Sequence, residues 1–491
     1  MVKKVVSREM FMSRKKKQSD FNSVLSDEQI NYGKKKYLLF SMFNGFSVAL
    51  LAEGTLILFA LKLQIPDYIV GVMSSFLFLG MPFIFVGKRM AMKMGVVKTI
   101  SIAWFLRSVS ILAAVIAPFV IYNCSVNLGF ILFVLGAFGF YAFRGVGTIG
   151  WNPILGEITT EKNKGSYSAK NFILFTSAYF LSVLSLVVLF EFYNSIGTFQ
   201  VIVCSGCLFG FCAAYNVSKV PESNIPIKSA SVSIRESISL IRTSKECMKL
   251  IYIQTIYFAG IALTFPYSML ALKEGYAVKD YAAMSYILIL LAGGIIISMV
   301  SNKIIDKMGP QKILISLYSL MVIASFMWFL APTNFNWMYS GIIFLFIGCA
   351  QMGGYIALIT YFLIITKPDQ RIGYTVVLTI ISSFLAGAVG ALFGGGLLKL
   401  LECFHLKELV MFHYFFFIVF VLLLAWLFVI LKLEKVNIIK VCLKLFRINL
   451  LCKFPHFVPT ALNIIYNLPM IKTIGFIIMQ LRRVKNRRAI K

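Results

Sequence analysis

Histidine and acidic residues are scarce in this chain. It carries three histidines, His405, His413 and His456, and 19 Asp and Glu residues among 491. No two of the histidines have the spacing of a ligand pair, so neither a metal site nor imidazole base catalysis is expected. That shortage argues against a membrane-embedded hydrolase or acyl transferase, which needs such a group, and the chain is expected to be no enzyme and to hold no cofactor. Cysteine excludes little. Of nine, Cys204 and Cys207 lie in an apolar run, where a CxxC is more often packing than redox, and Cys124 and Cys403 lie near the outer face, where they could in principle pair. The first 36 residues are polar, and no cleavable signal peptide is expected.

What the chain has in abundance is apolar surface. Hydrophobic residues make up 59% of it, above the roughly half that soluble domains carry. A hydrocarbon core takes about 20 apolar residues as helix. Runs of that length fall at about 37–62, 68–87, 100–122, 128–151, 172–192 and 199–217, then at 250–272, 281–302, 313–330, 337–365, 376–401 and 410–433. They lack the alternation of barrel strands, and inside lipid the remaining way to satisfy a backbone is the α-helix. The expectation is an all-α membrane protein with twelve transmembrane helices.

Basic residues orient these spans, because short loops rich in Lys and Arg stay in the cytoplasm. With the N-terminus inside, 41 of the 48 Lys and Arg residues fall in cytoplasmic segments, and the outward loops hold Lys62, Lys273, Lys279, Lys399 and Lys407. Both termini are therefore expected in the cytoplasm. The net charge of +29 has the same origin, since clusters such as Arg14 to Lys17 flank membrane and meet anionic lipid headgroups. Nucleic acid is not an expected partner.

The chain also repeats itself. After the second run it reads Lys93-Met94-Gly95 and then Lys98; 214 positions later it reads Lys307-Met308-Gly309 and then Lys312. A weaker echo relates Lys164 to Tyr167 with Arg371 to Tyr374. Two related halves are a common transporter construction. The expected organisation is a basic arm at 1–36, a six-helix bundle at 37–217, a cytoplasmic linker at 218–249, a second six-helix bundle at 250–433 and a basic interfacial tail at 434–491. In the linker, Ile234, Ile238 and Ile241 suggest a short amphipathic helix on the membrane.

On these residues the chain resembles the major facilitator superfamily, whose members have six plus six helices and both termini inside. The resemblance covers nearly all of 37–433. Its carrier is the loop signature G-x-x-x-D-R-x-G-x-x-[RK] between the second and third helix of each half. Asp306, Lys307, Gly309 and Lys312 match it in the second half, with Asn302 at the leading Gly. The first copy keeps Lys93, Gly95 and Lys98 but has Lys88 for the leading Gly and Met92 for the Asp. The resemblance implies that the Asp caps a neighbouring helix, a role that here falls to Asp306. Lys88, Arg89 and Lys93 read equally as plain positive anchors.

Ionisable groups at membrane depth are costly unless paired or wetted. Three fall inside spans: Glu53, Arg107 and Arg144. Arg107 is expected to snorkel toward the cytoplasmic headgroups. Arg144 sits in a glycine-rich stretch of the fourth span, which by the resemblance lines the central cavity, and suits a carboxylate or phosphate. Drug and proton antiporters of the family carry Gln and Gly where this chain has Gly147 and Thr148, and they have a Gly-Pro motif missing from 178–182. Glu53 is the lone carboxylate well inside a span and the candidate for proton coupling. On a straight helix, however, it faces away from Asn44.

Further cavity candidates are Asn44, Trp151, Gln254, Tyr257, Gln351 and Tyr355; interhelical bonding is the competing reading of each pair on one face. Gly387, Gly390 and Gly394 to Gly396 suggest close helix packing. The expected function is secondary active transport of a small solute across the cytoplasmic membrane, by a monomer and with protons as a coupling ion. A lipid or lysolipid mover, or a sensor of the same fold that transports nothing, is the alternative. Few polar residues face the cavity, which favours a partly apolar substrate.

Overall fold

A computed structural model describes residues 25–434, apart from 52, 67, 68, 70–72, 74, 75, 161, 162, 194, 279 and 405–407. The arm up to residue 24 and the tail beyond Glu434 lie outside the described residues. So do the side chain of Glu53 and, within the run expected at 68–87, residues 68, 70–72, 74 and 75.

Every described element is helical, and ten of the helices are long and apolar enough to cross a membrane. The first half contains α1 (Asp27–Leu51), α2 (Glu53–Lys62), α3 (Ile84–Met94), α4 (Val96–Asn123), α5 (Val126–Gly147), α6 (Trp151–Ile158), α7 (Lys164–Phe192) and α8 (Ile196–Ser218). Two short helices follow, α9 (Ile225–Ser231) and α10 (Ile234–Thr243). The second half contains α11 (Lys245–Leu270), α12 (Asp280–Met308), α13 (Pro310–Phe329), α14 (Trp337–Ile365), α15 (Arg371–Ala388), α16 (Gly395–Glu402) and α17 (Glu408–Glu434).

The two copies of the loop signature take the same shape. Gly95 has φ +88° and Gly309 φ +84°, and each ends one helix and begins the next. A side chain is strained in that left-handed region, so glycine is the residue that lets the chain reverse between two long helices.

Packing within the first half joins α4 to α5 and α8, and α1 to α7 and α8. In the second half α14 packs on α12 and α13, and α11 on α15. Across the halves α7 lies against α12 and α14, and α15 against α3 and α6. An apolar cluster built on Phe59, Phe133, Phe140 and Phe199 fills the first half away from the basic loops.

The structure refines three expectations. The span expected at 376–401 is helical from Arg371 to Glu402, with a π-helical turn over Val389–Gly394 joining α15 to α16. The π-helical turn lies where Gly390 meets the Ala262 methyl and Gly394 the Tyr267 ring, so these glycines serve contact with α11. The linker helix α10 forms as expected, but it packs on α11 and α15 and buries Ser237 and Ile241. Of its apolar side, Ile241 is buried against protein while Ile238 stays exposed. Cys124 and Cys403 are both free.

Candidate functional site

Arg107 is the centre of a buried polar group in the first half. It lies on α4 and is fully buried, so it does not snorkel. Its Nη2 donates to Asn44 Oδ1 at 3.2 Å and to Ser47 Oγ at 3.2 Å, both on α1. Asn44 Oδ1 also accepts from Trp104 Nε1 at 2.8 Å. The guanidinium carbon lies 4.8 Å from the Trp104 ring centroid and 4.9 Å from that of Phe140. Flat aromatic faces attract a cation, and helices α1, α4 and α5 together make this slot. Burial rather than snorkelling follows from its place on α4, which packs on α5 and α8, and from its bonds to α1.

Arg144 approaches from α5. It is partly exposed, no hydrogen bond or ion pair holds it among the described residues, and its charge bears on both Arg107 and Tyr355. Tyr355, on α14, stacks on Phe172 of α7 with centroids 6.3 Å apart and planes 10° apart. It also meets Phe258 of α11 at 5.3 Å. One turn before Tyr355, Gln351 has an Oε1 without a partner among the described residues. Trp151 lies 6.1 Å from Trp104. Asn44, Trp151, Arg144 and Tyr355 thus belong to one polar and aromatic region reached from both halves.

Gln254 and Tyr257 stand apart from it. Gln254 Nε2 donates to Ser382 Oγ at 3.1 Å, tying α11 to α15. Tyr257 is fully buried and donates to the Ala350 carbonyl at 2.7 Å, with its ring on Gly354. In both, the polar atoms are engaged in helix packing. For Glu53 the structure describes the helix position, the first residue of α2, and not the side chain.

The second constellation lies at the end that carries the basic loops. Asp306 accepts from the Gly165 amide at 2.8 Å and the Ser166 amide at 2.9 Å, capping α7. Beside it, Lys164 Nζ donates to the Leu363 carbonyl at 3.0 Å. The first half has Met92 at the position equivalent to Asp306, and a residue of the linker occupies the matching place: Ser229 Oγ accepts from the Ile372 amide at 3.0 Å. Lys88 is buried and donates to the Val232 carbonyl, so it is a bonded tie to the linker rather than a plain charged anchor. Glu222 accepts from the Val96 amide at 2.6 Å and the Val97 amide at 3.1 Å, capping α4. Ser223 donates to Glu157 of α6, and Asn152 Nδ2 to Thr375 Oγ1 at 3.3 Å. Carboxylates and hydroxyls at helix starts satisfy amides that have no partner in their own helix.

Sequence reasoning missed Glu222, Ser223 and Ser229. Their signal was present as polar residues in a linker directly before helix-forming runs, but their partners lie between 66 and 143 positions away.

The model of the family described as Major Facilitator Superfamily matches residues 37–391. No curated protein matches the sequence. Solved structures with a similar fold include the proton:xylose symporter XylE, 12% identical at a TM-score of 0.62, covering 82% of this chain and 97% of its own. The E. coli fucose:proton symporter FucP is 16% identical at 0.59, covering 80% and 99%. The human organic anion transporter MFSD10 is 12% identical at 0.58, covering 81% and 100%. At these identities the likeness is one of fold.

Proposed function

We propose, from the premise that the chain belongs to the Major Facilitator Superfamily, that it carries a small solute across the cytoplasmic membrane by alternating access. In this reading twelve spans form two six-helix halves, both termini are cytoplasmic, and the protein works as a monomer. The solute binds near Arg144, Gln351 and Tyr355, and Glu53 exchanges the coupling proton. The names of XylE and FucP, both proton symporters, support small-solute transport with protons.

The observation that carries this reading is the pair of latches between halves at the basic-loop end. Asp306 with Gly165 and Ser166, and Lys164 with Leu363, join elements that alternating access must separate. Each latch is a few hydrogen bonds to backbone, about 0.5–1.5 kcal/mol apiece, and up to about 3 where a charge takes part. Such bonds favour one state without locking it.

Spin labels at the exposed Lys170 and Lys367, on the full chain in lipid nanodiscs, test this. Two distance populations that redistribute with solute or pH are expected. One fixed distance throughout would leave the sensor reading in its place. Thermal stabilisation across sugars, amino acids, nucleosides, organic anions, drugs and lysolipids then identifies the solute class by linkage. Glu53→Gln transport that keeps its dependence on pH would remove the coupling role.

A further inference from the structure

We infer that the solute is an organic anion, with a carboxylate or phosphate head held by Arg107 and Arg144 and an apolar body against the aromatic side chains around them. The inference rests on the transporter reading and narrows it to one substrate chemistry.

Arg107 carries the argument. A guanidinium has five N–H donors, and Asn44 and Ser47 take the two on Nη2. The donors on Nε and Nη1 are buried and have no partner among the described residues. A buried charge with unmet donors is expensive, and removing it from water repays itself when an opposite charge arrives. Among the described residues, the charged and titratable groups that bear on it are Arg144, Cys207 and Tyr141, with no carboxylate among them. Arg144 adds a second positive charge and itself has no hydrogen bond or ion pair among the described residues. Two neighbouring cations at membrane depth make a field that attracts an anion and rejects a cation.

The surroundings define the rest of the ligand. Trp104 and Phe140 cover the faces of the Arg107 guanidinium, leaving its edges for hydrogen bonding. Phe172 and Phe258 pack on Tyr355, on which the Arg144 charge bears. Planar guanidinium groups match carboxylate and phosphate oxygens, and aromatic side chains match an apolar body. A free sugar would leave both charges uncompensated. Contributions from both halves, Arg144 from the first and Tyr355 from the second, place the ligand where closure on either side is sensed.

The experiment measures melting temperature of the purified full chain with paired probes. Phenylacetate is set against phenylacetamide, indole-3-acetate against indole-3-acetamide, and octanoate against octanamide; phenyl phosphate is set against phenol and inorganic phosphate. Anionic members with an apolar body are expected to stabilise the wild type, their neutral partners much less, and inorganic phosphate less than phenyl phosphate. Arg144→Gln is expected to raise the half-saturating anion concentration by about tenfold or more, the loss of one charged hydrogen bond. Arg107→Lys keeps a charge in the slot and is expected to weaken binding in the same sense; should it fail to fold, Arg144→Gln decides.

Equal shifts from the amides overturn the inference, as does an anion response unchanged in Arg144→Gln. So does anion stabilisation seen in Glu53→Gln and absent from the wild type, because the counter-charge is then internal. A neutral sugar that binds independently of both arginines also overturns it and leaves alternating access standing, since the spin-label distances report that separately.

Discussion

Asp306 caps Gly165 across 141 positions of chain, its Oδ1 accepting the amide at 2.8 Å. The bond joins the second half's loop signature to the first turn of α7, where the helix dipole adds to the attraction for a carboxylate. Asp306→Asn keeps the shape and removes the charge, so closure at the basic-loop end is expected to weaken by about 1 kcal/mol. In the spin-label measurement this appears as a larger open population. An unchanged distribution would show that the cap does not discriminate between states.

Glu222 is expected to make stability depend on pH. Burial raises its carboxyl from the ordinary 4.5 to about 7, with Glu157 adding to the effect and the Val96 and Val97 amides opposing it. Between those two values the folded chain holds a proton that the unfolded chain has released. Stability from this group therefore falls as pH rises from 4.5 to about 7 and levels off above. Melting temperature recorded across that window should show the decline in the wild type and a smaller one in Glu222→Gln.

Ser229 occupies the place left by Met92. Ser229→Ala strands the Ile372 amide, which is buried with Ile372 itself, and is expected to cost about 1–2 kcal/mol. The readout is chemical denaturation of the detergent-solubilised chain. Met92→Asp in the same background should restore part of the loss if the two halves are equivalent, and no recovery would count against that equivalence.

Tyr257 and Gly354 test helix packing away from the arginines. A Cβ on Gly354 would stand 2.2 Å from the Tyr257 ring, so Gly354→Ala is expected to destabilise by about 1–3 kcal/mol. Tyr257→Phe loses the bond to Ala350 and is expected to cost about 1 kcal/mol. Neither should alter anion affinity, and a tenfold change in Tyr257→Phe would assign that hydroxyl to the ligand instead.

Much of the helical fold was legible along the chain, because run length is a one-dimensional property that lipid reads directly. The repeat was legible for a related reason. A reversal between long helices demands a left-handed residue, and Gly95 and Gly309 meet that demand 214 positions apart. Arg144, Asn44, Trp151 and Tyr355 could be picked out as polar or aromatic residues inside apolar runs. Which face of a helix meets protein and which meets lipid is set by neighbours distant in sequence. That is why Arg107, read alone as a snorkelling residue, is buried among Asn44, Ser47, Trp104 and Phe140. Tertiary contact likewise separated Tyr257, which bonds to a backbone carbonyl, from Tyr355, which stacks across the halves. The linker's role as a set of helix caps depended wholly on where the ends of α4 and α15 came to lie. An unpaired amide at a helix start accepts whichever oxygen the fold brings within reach, and no spacing along the chain specifies which one that is.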